Sequence, residues 1–293
     1  MYDHYLGLFS NKGQKVFMLP VPYECTVSYR TGTREGPLSI LRASYEIESW
    51  DEELEVDLSE EYSIEVLPFF EPVVEGPEVF VQKLKKYIQD TISPKDFLIT
   101  LGGEHTVSLS PISFYKDFYK DMMVIQMDAH ADLRDMYQQS RYSHACVMRR
   151  VWEMGVDFVQ IGIRSLSKEE SVFIKENPDR IKTIFAWQIK DPKSIAEKIL
   201  YWVGERKVYL TFDVDVLDPS VLPGTGTPEP GGLGFDWVSE FFKELFSKTD
   251  LIGFDVCELS PIGGEVISES VTVRVINRIL ASMVYGKRIR IRD

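Results

Sequence analysis

The sequence predicts one α/β domain built on a parallel sheet with helices over both faces. Three observations carry this: eight short apolar runs that read as buried strands, segments of helical period between most of them, and no linker, repeat or low-complexity tract to divide the chain. With 293 residues, 44% of them hydrophobic and 12% aromatic, the chain can bury a core of that size, and disorder is excluded.

In chain order the strand-like runs are Lys15–Val21, Ser63–Phe69, Phe97–Leu101, Met122–Met127, Phe158–Ile163, Ile181–Trp187, Val208–Phe212 and Leu251–Cys257. Among the helical segments, Val79–Thr91 places Val79, Leu84, Tyr87 and Ile88 on one face. Ser194–Val203 and Trp237–Phe246 do the same, and Ser268–Tyr285 is the longest. Glu46–Glu61, crowded with Glu and Asp around Trp50, reads as a surface loop or excursion. In a parallel sheet, ligands bind where the strand–helix loops gather, at the carboxyl ends of the strands. His105, Asp128, Asp213, the segment Gly162-Ile163-Arg164 and the segment Asp255-Val256-Cys257-Glu258 all fall there.

A net charge of −13 argues against nucleic acid as a partner and suits a small cationic substrate. Cys25, Cys146 and Cys257 are odd in number and form no CxxC, so a disulfide framework is not expected and a reducing, cytoplasmic location is. The amino terminus lacks a basic segment followed by an apolar one. No apolar run approaches the roughly 20 residues of a membrane span, so no membrane association is expected.

The chemistry is marked by histidines and carboxylates at strand ends. Asp128-Ala129-His130-Ala131-Asp132 follows the run that ends at Met127, Asp213-Val214-Asp215 closes the run that ends at Phe212, and His105 stands just past Leu101. Alternate residues of an extended chain share a face, so the D-x-H-x-D run points its side chains broadly one way. Carboxylate with imidazole suits manganese, iron or zinc, an all-oxygen set would suit magnesium or calcium, and the absence of thiolate counts against a structural zinc site. His105, Asp128, His130, Asp132, Asp213 and Asp215 suffice for two cations, with Asp128 and Asp213 placed to bridge. Two ions roughly 3.5–4 Å apart hold a shared water and lower its pKa. Taken singly, a post-strand Asp is a helix cap and His105 beside Gly102-Gly103 a loop histidine. Burying so many carboxylates together without a cation is costly, and a metal-dependent hydrolase is the leading reading.

These residues also resemble a known family. Gly102-Gly103-Glu104-His105, the D-x-H-x-D run, Ser143-His144 and Asp213-Val214-Asp215-Val216-Leu217-Asp218-Pro219 resemble, in the same order, the ureohydrolase signatures of arginases and agmatinases. The resemblance runs from about Val21 to the last helix. It implies a single three-layer α/β/α domain over residues 1–293 around an eight-stranded, mainly parallel sheet, two Mn2+ per subunit, and release of urea from a guanidino compound. It implies that His105, Asp128, Asp132 and Asp213 hold one manganese and Asp128, His130, Asp213 and Asp215 the other. Hydroxide then attacks the guanidinium carbon, and Asp132 passes the nucleophile's proton to the departing amine. His144 matches the family's proton-shuttle histidine. Glu258, in Asp255-Val256-Cys257-Glu258-Leu259-Ser260-Pro261, matches the glutamate that accepts paired N–H donors from the guanidinium. A homo-oligomer, trimer or hexamer, is implied in the same way. Asp218 before Pro219 reads as fixing a turn, and the loops Arg30–Pro37 and Gly224–Gly232 as pocket rim or interface.

The wording around the ligands resembles prokaryotic agmatinases. Family arginases place an Asp after the strand that corresponds to Phe158–Ile163, where this chain has Arg164-Ser165, and their polar loop after the D-x-H-x-D run is replaced by Leu133-Arg134-Asp135-Met136-Tyr137. Agmatine, which lacks the α-carboxylate, is therefore the expected substrate, yielding putrescine and urea. Aminopropylagmatine competes with it. Guanidinobutyrate would require a basic group at the tail, for which Arg134 or Arg164 is available. Other classes share this ligand vocabulary. A non-catalytic family member would lack one of the ligands, a dinuclear phosphoesterase would carry basic phosphate-binding residues, and a zinc deacetylase would fill one metal position rather than two.

Overall fold

The computed structural model describes residues 4–7, 12–71 and 73–292. All eight predicted strands are present: β1 (Gln14–Val21), β2 (Tyr62–Val66), β3 (Phe97–Gly102), β4 (Met123–Met127), β5 (Asp157–Ile163), β6 (Ile181–Phe185), β7 (Lys207–Asp213) and β8 (Asp250–Cys257). They form one eight-stranded sheet in the order β2-β1-β3-β8-β7-β4-β5-β6. Every pairing in it is parallel.

The layers follow from which side each strand residue faces. Phe97, Ile99 and Leu101 of β3 join a core with Ile40, Leu41, Ile199, Phe242 and Ile279. Leu98, between them, joins a second core with Phe80, Leu84, Ile112, Val151 and Phe158. Helices α1 (Gly36–Ser44), α6 (Pro192–Val203), α7 (Phe235–Phe246) and α8 (Ile267–Arg292) therefore cover one face. Helices α2 (Pro77–Thr91), α3 (Leu109–Phe118), α4 (Val147–Glu153) and α5 (Lys168–Glu176) cover the other. This is the three-layer α/β/α arrangement, and burial on both faces is why the strands read as continuous apolar runs.

Some boundaries differ from expectation. β2 stops at Val66 because Pro68, with no N–H, ends the ladder soon after Leu67. The last helix continues past Tyr285 to Arg292. Gly286 allows this: a Cβ there would stand 2.2 Å from the Ser247 carbonyl oxygen, so only glycine lets the helix lie against the end of α7. Glu46–Glu61 is more ordered than a loop. Trp50–Asp51 pairs antiparallel with Val56–Asp57, a helical turn follows at Leu58–Glu61, and Leu54, Val56 and Leu58 are buried. What fastens this excursion is Arg278 of α8, which reaches both Asp51 oxygens at 2.9 Å and also pairs with Glu53.

Arg278 is 5% exposed, so its removal strands charge at a buried seam. Arg278→Ala is expected to lower stability by about 1–3 kcal/mol, less than for a fully enclosed pair because Glu53 is half exposed. Denaturant unfolding measures this, and an unchanged midpoint would show that the excursion does not depend on the pair.

Candidate metal centre and active site

Strand register builds the site. Leu101 lies beside Val256, Cys257 beside Asp213, and Met127 beside Phe212. Neighbouring strands are about 4.8 Å apart. The residues at or just past the ends of β3, β8, β7 and β4, namely His105, Glu258, Asp213 and Asp128, consequently stand side by side.

The six expected ligands come together. Ligand atoms of His105, Asp128 and Asp132 lie within 4.8 Å of one another, as do those of Asp128, His130 and Asp215, so Asp128 belongs to both groups. Asp213 completes the first: its Oδ2 lies 3.4 Å from His105 Nδ1, alongside Asp132 Oδ2 at 2.9 Å and Asp128 Oδ2 at 3.1 Å. His130 Nδ1 lies 2.9 Å from Asp215 Oδ2 and 3.7 Å from Asp128 Oδ1. The alternation does not run through Asp132 as plain extended chain, because Asp132 has a φ of 52°. That left-handed turn carries Asp132 to the His105 side while His130 faces Asp215. Glu258 has a φ of 67°, and such backbone outside glycine costs about 1–3 kcal/mol per residue.

Beneath the ligands runs a row of polar residues, buried except at its β6 end. Thr100, Asp255, Thr211, Gln126, Gln160 and Thr183 are consecutive cross-strand partners over β3, β8, β7, β4, β5 and β6. Gln126 Nε2 donates to Asp128 Oδ2 at 2.7 Å, and Gln160 Nε2 donates to Gln126 Oε1 at 2.6 Å. Thr211 Oγ1 donates to Asp255 Oδ1 at 2.8 Å and lies 2.9 Å from His105 Nε2. With its proton given to Asp255, Thr211 accepts from Nε2–H, which turns His105 Nδ1 towards the carboxylates, where it can carry a proton or bind a metal. Backbone groups hold the other carboxylates: the Asp215 N–H on Asp213 Oδ1 and the Ala129 N–H on Asp215 Oδ1, both at 2.9 Å.

His105 Nδ1 is buried and has no hydrogen-bond partner, although three carboxylate oxygens surround it. A lone pair facing carboxylates is repulsive unless a cation sits among them, so the donor set fits a metal. The protonation equilibria of the carboxyls carry the same conflict. Burial, and next the charge of Asp128, push the Asp132 carboxyl up to about 7. Burial, then Asp215 and Asp128, raise Asp213 well above the usual carboxylate range. Burial opposes the Asp128 carboxylate, but His105 and His130 hold it low.

Glu258 and His144 flank the ligands in a cavity of about 260 Å³. Glu258 Oε1 accepts from the His105 N–H at 2.7 Å, and burial first of all pushes its carboxyl up to about 8. Burial, then the charges of His105 and His130, push His144 down to about 4. Arg134, Tyr137, Ser165, Ser167 and Glu170 line the outer part.

The arginase family profile matches residues 14–285. The chain belongs to the arginase family. It is 34% identical over 270 residues to the N(1)-aminopropylagmatine ureohydrolase of Synechocystis sp., a match covering 90% of this chain and 88% of that protein. It is 36% identical over 261 residues to the agmatinase of Pyrococcus horikoshii, covering 88% of each. The agmatine ureohydrolase of Thermoplasma volcanium superposes with a TM-score of 0.83 at 26% identity, over 98% of this chain and 96% of that one. This arginase-family chain is thus a ureohydrolase, a hydrolase of amidine C–N bonds, in a family that depends on a binuclear metal centre.

Several residues of this ureohydrolase fall outside the sequence expectations. Glu170, 3% exposed, faces the cavity while accepting from the Leu133 and Ser167 N–H groups. It is the third helical residue of a Ser-x-x-Glu capping box at the start of α5. Arg164 does not reach the tail end. Its guanidinium donates to the carbonyls of Asp215, Val216, Leu217 and Glu229, tying the loop after β7 to the Glu229 loop. Asp218, by contrast, fixes its turn as expected, accepting from the Ser220 N–H, and it also accepts from the Gly231 and Gly232 N–H groups of the glycine-rich loop. Among the described residues no helix is long and apolar enough to cross a membrane.

Without metal, Asp132 and Glu258 titrate at about 7 and about 8, against ordinary values of 3.8 and 4.5. The folded state then holds protons that the unfolded chain has released. Their stabilising contribution is complete below the ordinary values and is lost as pH rises through 7 and 8. Chelated protein is expected to melt at steadily lower temperature from about pH 6.5 to about pH 9, above the range in which His144 titrates. Divalent manganese should remove the decline by replacing those protons. A flat melting profile in the chelated protein would contradict it.

Proposed function

We propose that this chain, as one ureohydrolase domain over residues 1–293, hydrolyses agmatine to putrescine and urea with two manganese ions held by His105, Asp128, His130, Asp132, Asp213 and Asp215. The observation that carries the reading is Glu258, a buried carboxylate opening on the same cavity as the ligand cluster. Its Oε1 is held by the His105 N–H, so Oε2 is the oxygen offered to a guanidinium, which returns Glu258 to its charged form. A metal pair, when bound, lowers the pKa of a water and balances the charge of the carboxylates.

The side chains supply the remaining tasks. Asp132 takes the proton released by the nucleophile and delivers it to the departing amine. His144, kept neutral by burial, relays protons between that amine and solvent. At the tail end Glu170 supplies negative potential for the far cation of agmatine. Arginine would bring a carboxylate into the same space. Arg164, committed to backbone carbonyls elsewhere, does not reach it, and Arg134 Nε already lies 3.9 Å from Glu170 Oε2. A second reading, aminopropylagmatine as substrate, is favoured by the Synechocystis relative that carries that name. We further infer a cytoplasmic homo-oligomer, from the family resemblance and from the free thiols of Cys25, Cys146 and Cys257.

Manganese-loaded protein is expected to release urea from agmatine or aminopropylagmatine much faster than from arginine; arginine turnover equal to either would overturn the assignment. Asp128→Ala and Asp213→Ala should each nearly abolish urea release together with metal retention. His144→Ala should slow turnover by about 10²-fold with both metals kept, and an unchanged rate would remove its relay role.

A further inference from the structure

We propose that Glu104 and Thr26 are positioning residues that set the tautomer of His144, forming a carboxylate–hydroxyl–imidazole relay along one wall of the cavity. The proposal rests on the reading of His144 as the proton relay. Glu104 is fully buried, and its Oε2 accepts from the Cys25 and Thr26 N–H groups at 2.5 and 2.6 Å. Its Oε1 accepts the Thr26 hydroxyl at 2.8 Å. Thr26 has one hydroxyl proton, and Glu104 takes it. Towards His144 the Thr26 oxygen can therefore only accept. It accepts from the His144 backbone N–H at 3.0 Å and lies 3.1 Å from Nδ1. A bare Nδ1 would set two lone pairs against each other at that distance, so Nδ1 carries the hydrogen. Ser143 Oγ, 3.4 Å from Nδ1, is a second and longer neighbour.

The consequence falls on the other ring nitrogen. Nε2 is left with its lone pair, beside Ser28 Oγ at 3.4 Å on the cavity side, ready to take up a proton and give it back. When Nε2 is protonated, the Glu104 charge steadies the imidazolium through Thr26, the logic by which a buried carboxylate orients the histidine of a hydrolase triad. The backbone enforces this placement. Gly103 N–H donates to the Val21 carbonyl at 3.0 Å and Glu104 N–H to the Tyr23 carbonyl at 2.9 Å, and a Cβ on Gly103 would lie 2.0 Å from that Tyr23 oxygen.

The test is steady-state kinetics on agmatine with the manganese-loaded enzyme, together with metal content and melting temperature. Thr26→Val is expected to lower kcat about 10- to 100-fold with KM within about 2-fold and metal content unchanged. Thr26→Ser, which keeps the hydroxyl, should return kcat to within about 3-fold of wild type. Glu104→Gln should lower kcat as Thr26→Val does, because an amide can donate to Thr26 and so turn its proton towards Nδ1. In a His144→Ala background, Thr26→Val should cost nothing further. Wild-type kcat in Thr26→Val, equal slowing in Thr26→Ser, loss of metal in Thr26→Val, or full additivity with His144→Ala would each overturn the relay. Failure of the wild-type chain to release urea from any guanidino compound would instead overturn the reading of the site.

Discussion

Four carboxylates and two imidazoles meet at the centre of this fold, with His105, Asp128, Asp132, Asp213 and Asp215 all nearly inaccessible to water. Like charges at these separations repel strongly in a low-dielectric interior, and isolated buried carboxylates cost several kcal/mol each. The protein resolves this with protons or with cations. Protons leave Asp132 and Asp213 far from their ordinary titration. Cations satisfy all of them together. The fold therefore stores an unfavourable electrostatic arrangement that only a metal pair relieves, and the surrounding architecture exists to keep it from relaxing.

That architecture is the polar row across six strands. A parallel sheet covered on both faces is ordinarily apolar throughout, and here Asp255, Thr211, Gln126 and Gln160 interrupt it at one level. Each holds a neighbour, and the chain of hydrogen bonds ends on His105 through Thr211 and on Asp128 through Gln126. Ligands fixed from below cannot rotate to find other partners. The same device appears beside the cavity, where Glu104 commits its accepting capacity to the loop that carries Thr26. His105 and His144 thus each face a hydroxyl whose own proton is committed to a buried carboxylate.

The strands and the gathering of His and Asp side chains at one sheet edge were legible in the sequence, because an apolar run that ends in Asp or His carries a charge or an imidazole to the end of a buried strand, where a cation stabilises it and apolar packing does not. Boundaries failed where a local device overrode the pattern, as Pro68 did in shortening β2 and Gly286 in letting α8 continue. Helix α3 gave no period because Leu109, Ser110, Pro111, Ile112, Phe114 and Tyr115 are buried nearly all round. The polar row was visible as Gln126 within Met-Val-Ile-Gln-Met and Gln160 within Phe-Val-Gln-Ile, but only strand order and register show that these residues touch. Thr26 and Glu170 were hidden for a different reason. Their side chains act on residues more than 35 positions away, and the Ser-x-x-Glu cap that holds Glu170 gives no sign of the cavity it faces.

The two ends of the cavity are specified by different physics. At the reacting end most groups are buried and several, among them His105, Asp128, Asp213 and Asp215, are held by hydrogen bonds from buried side chains or backbone, so exchanging one of them disturbs a network. At the tail end the lining comes from loops and a helix start. Arg134 is more than a third exposed, stacks over Tyr137 at 5.1 Å and lies within 3.9 Å of Glu170. A solvated cation with a flexible stem can move aside at small cost, and its pairing with Glu170 is screened. The tail therefore meets an adjustable charge balance rather than a shaped socket. For the proposed substrates, a longer cationic tail and a shorter one would both be accommodated by shifting Arg134, whereas an α-carboxylate would have to share the space with Glu170. The chemistry of urea release is thus strongly constrained by this fold, and the choice among cationic guanidino substrates rests on a few side chains at its rim.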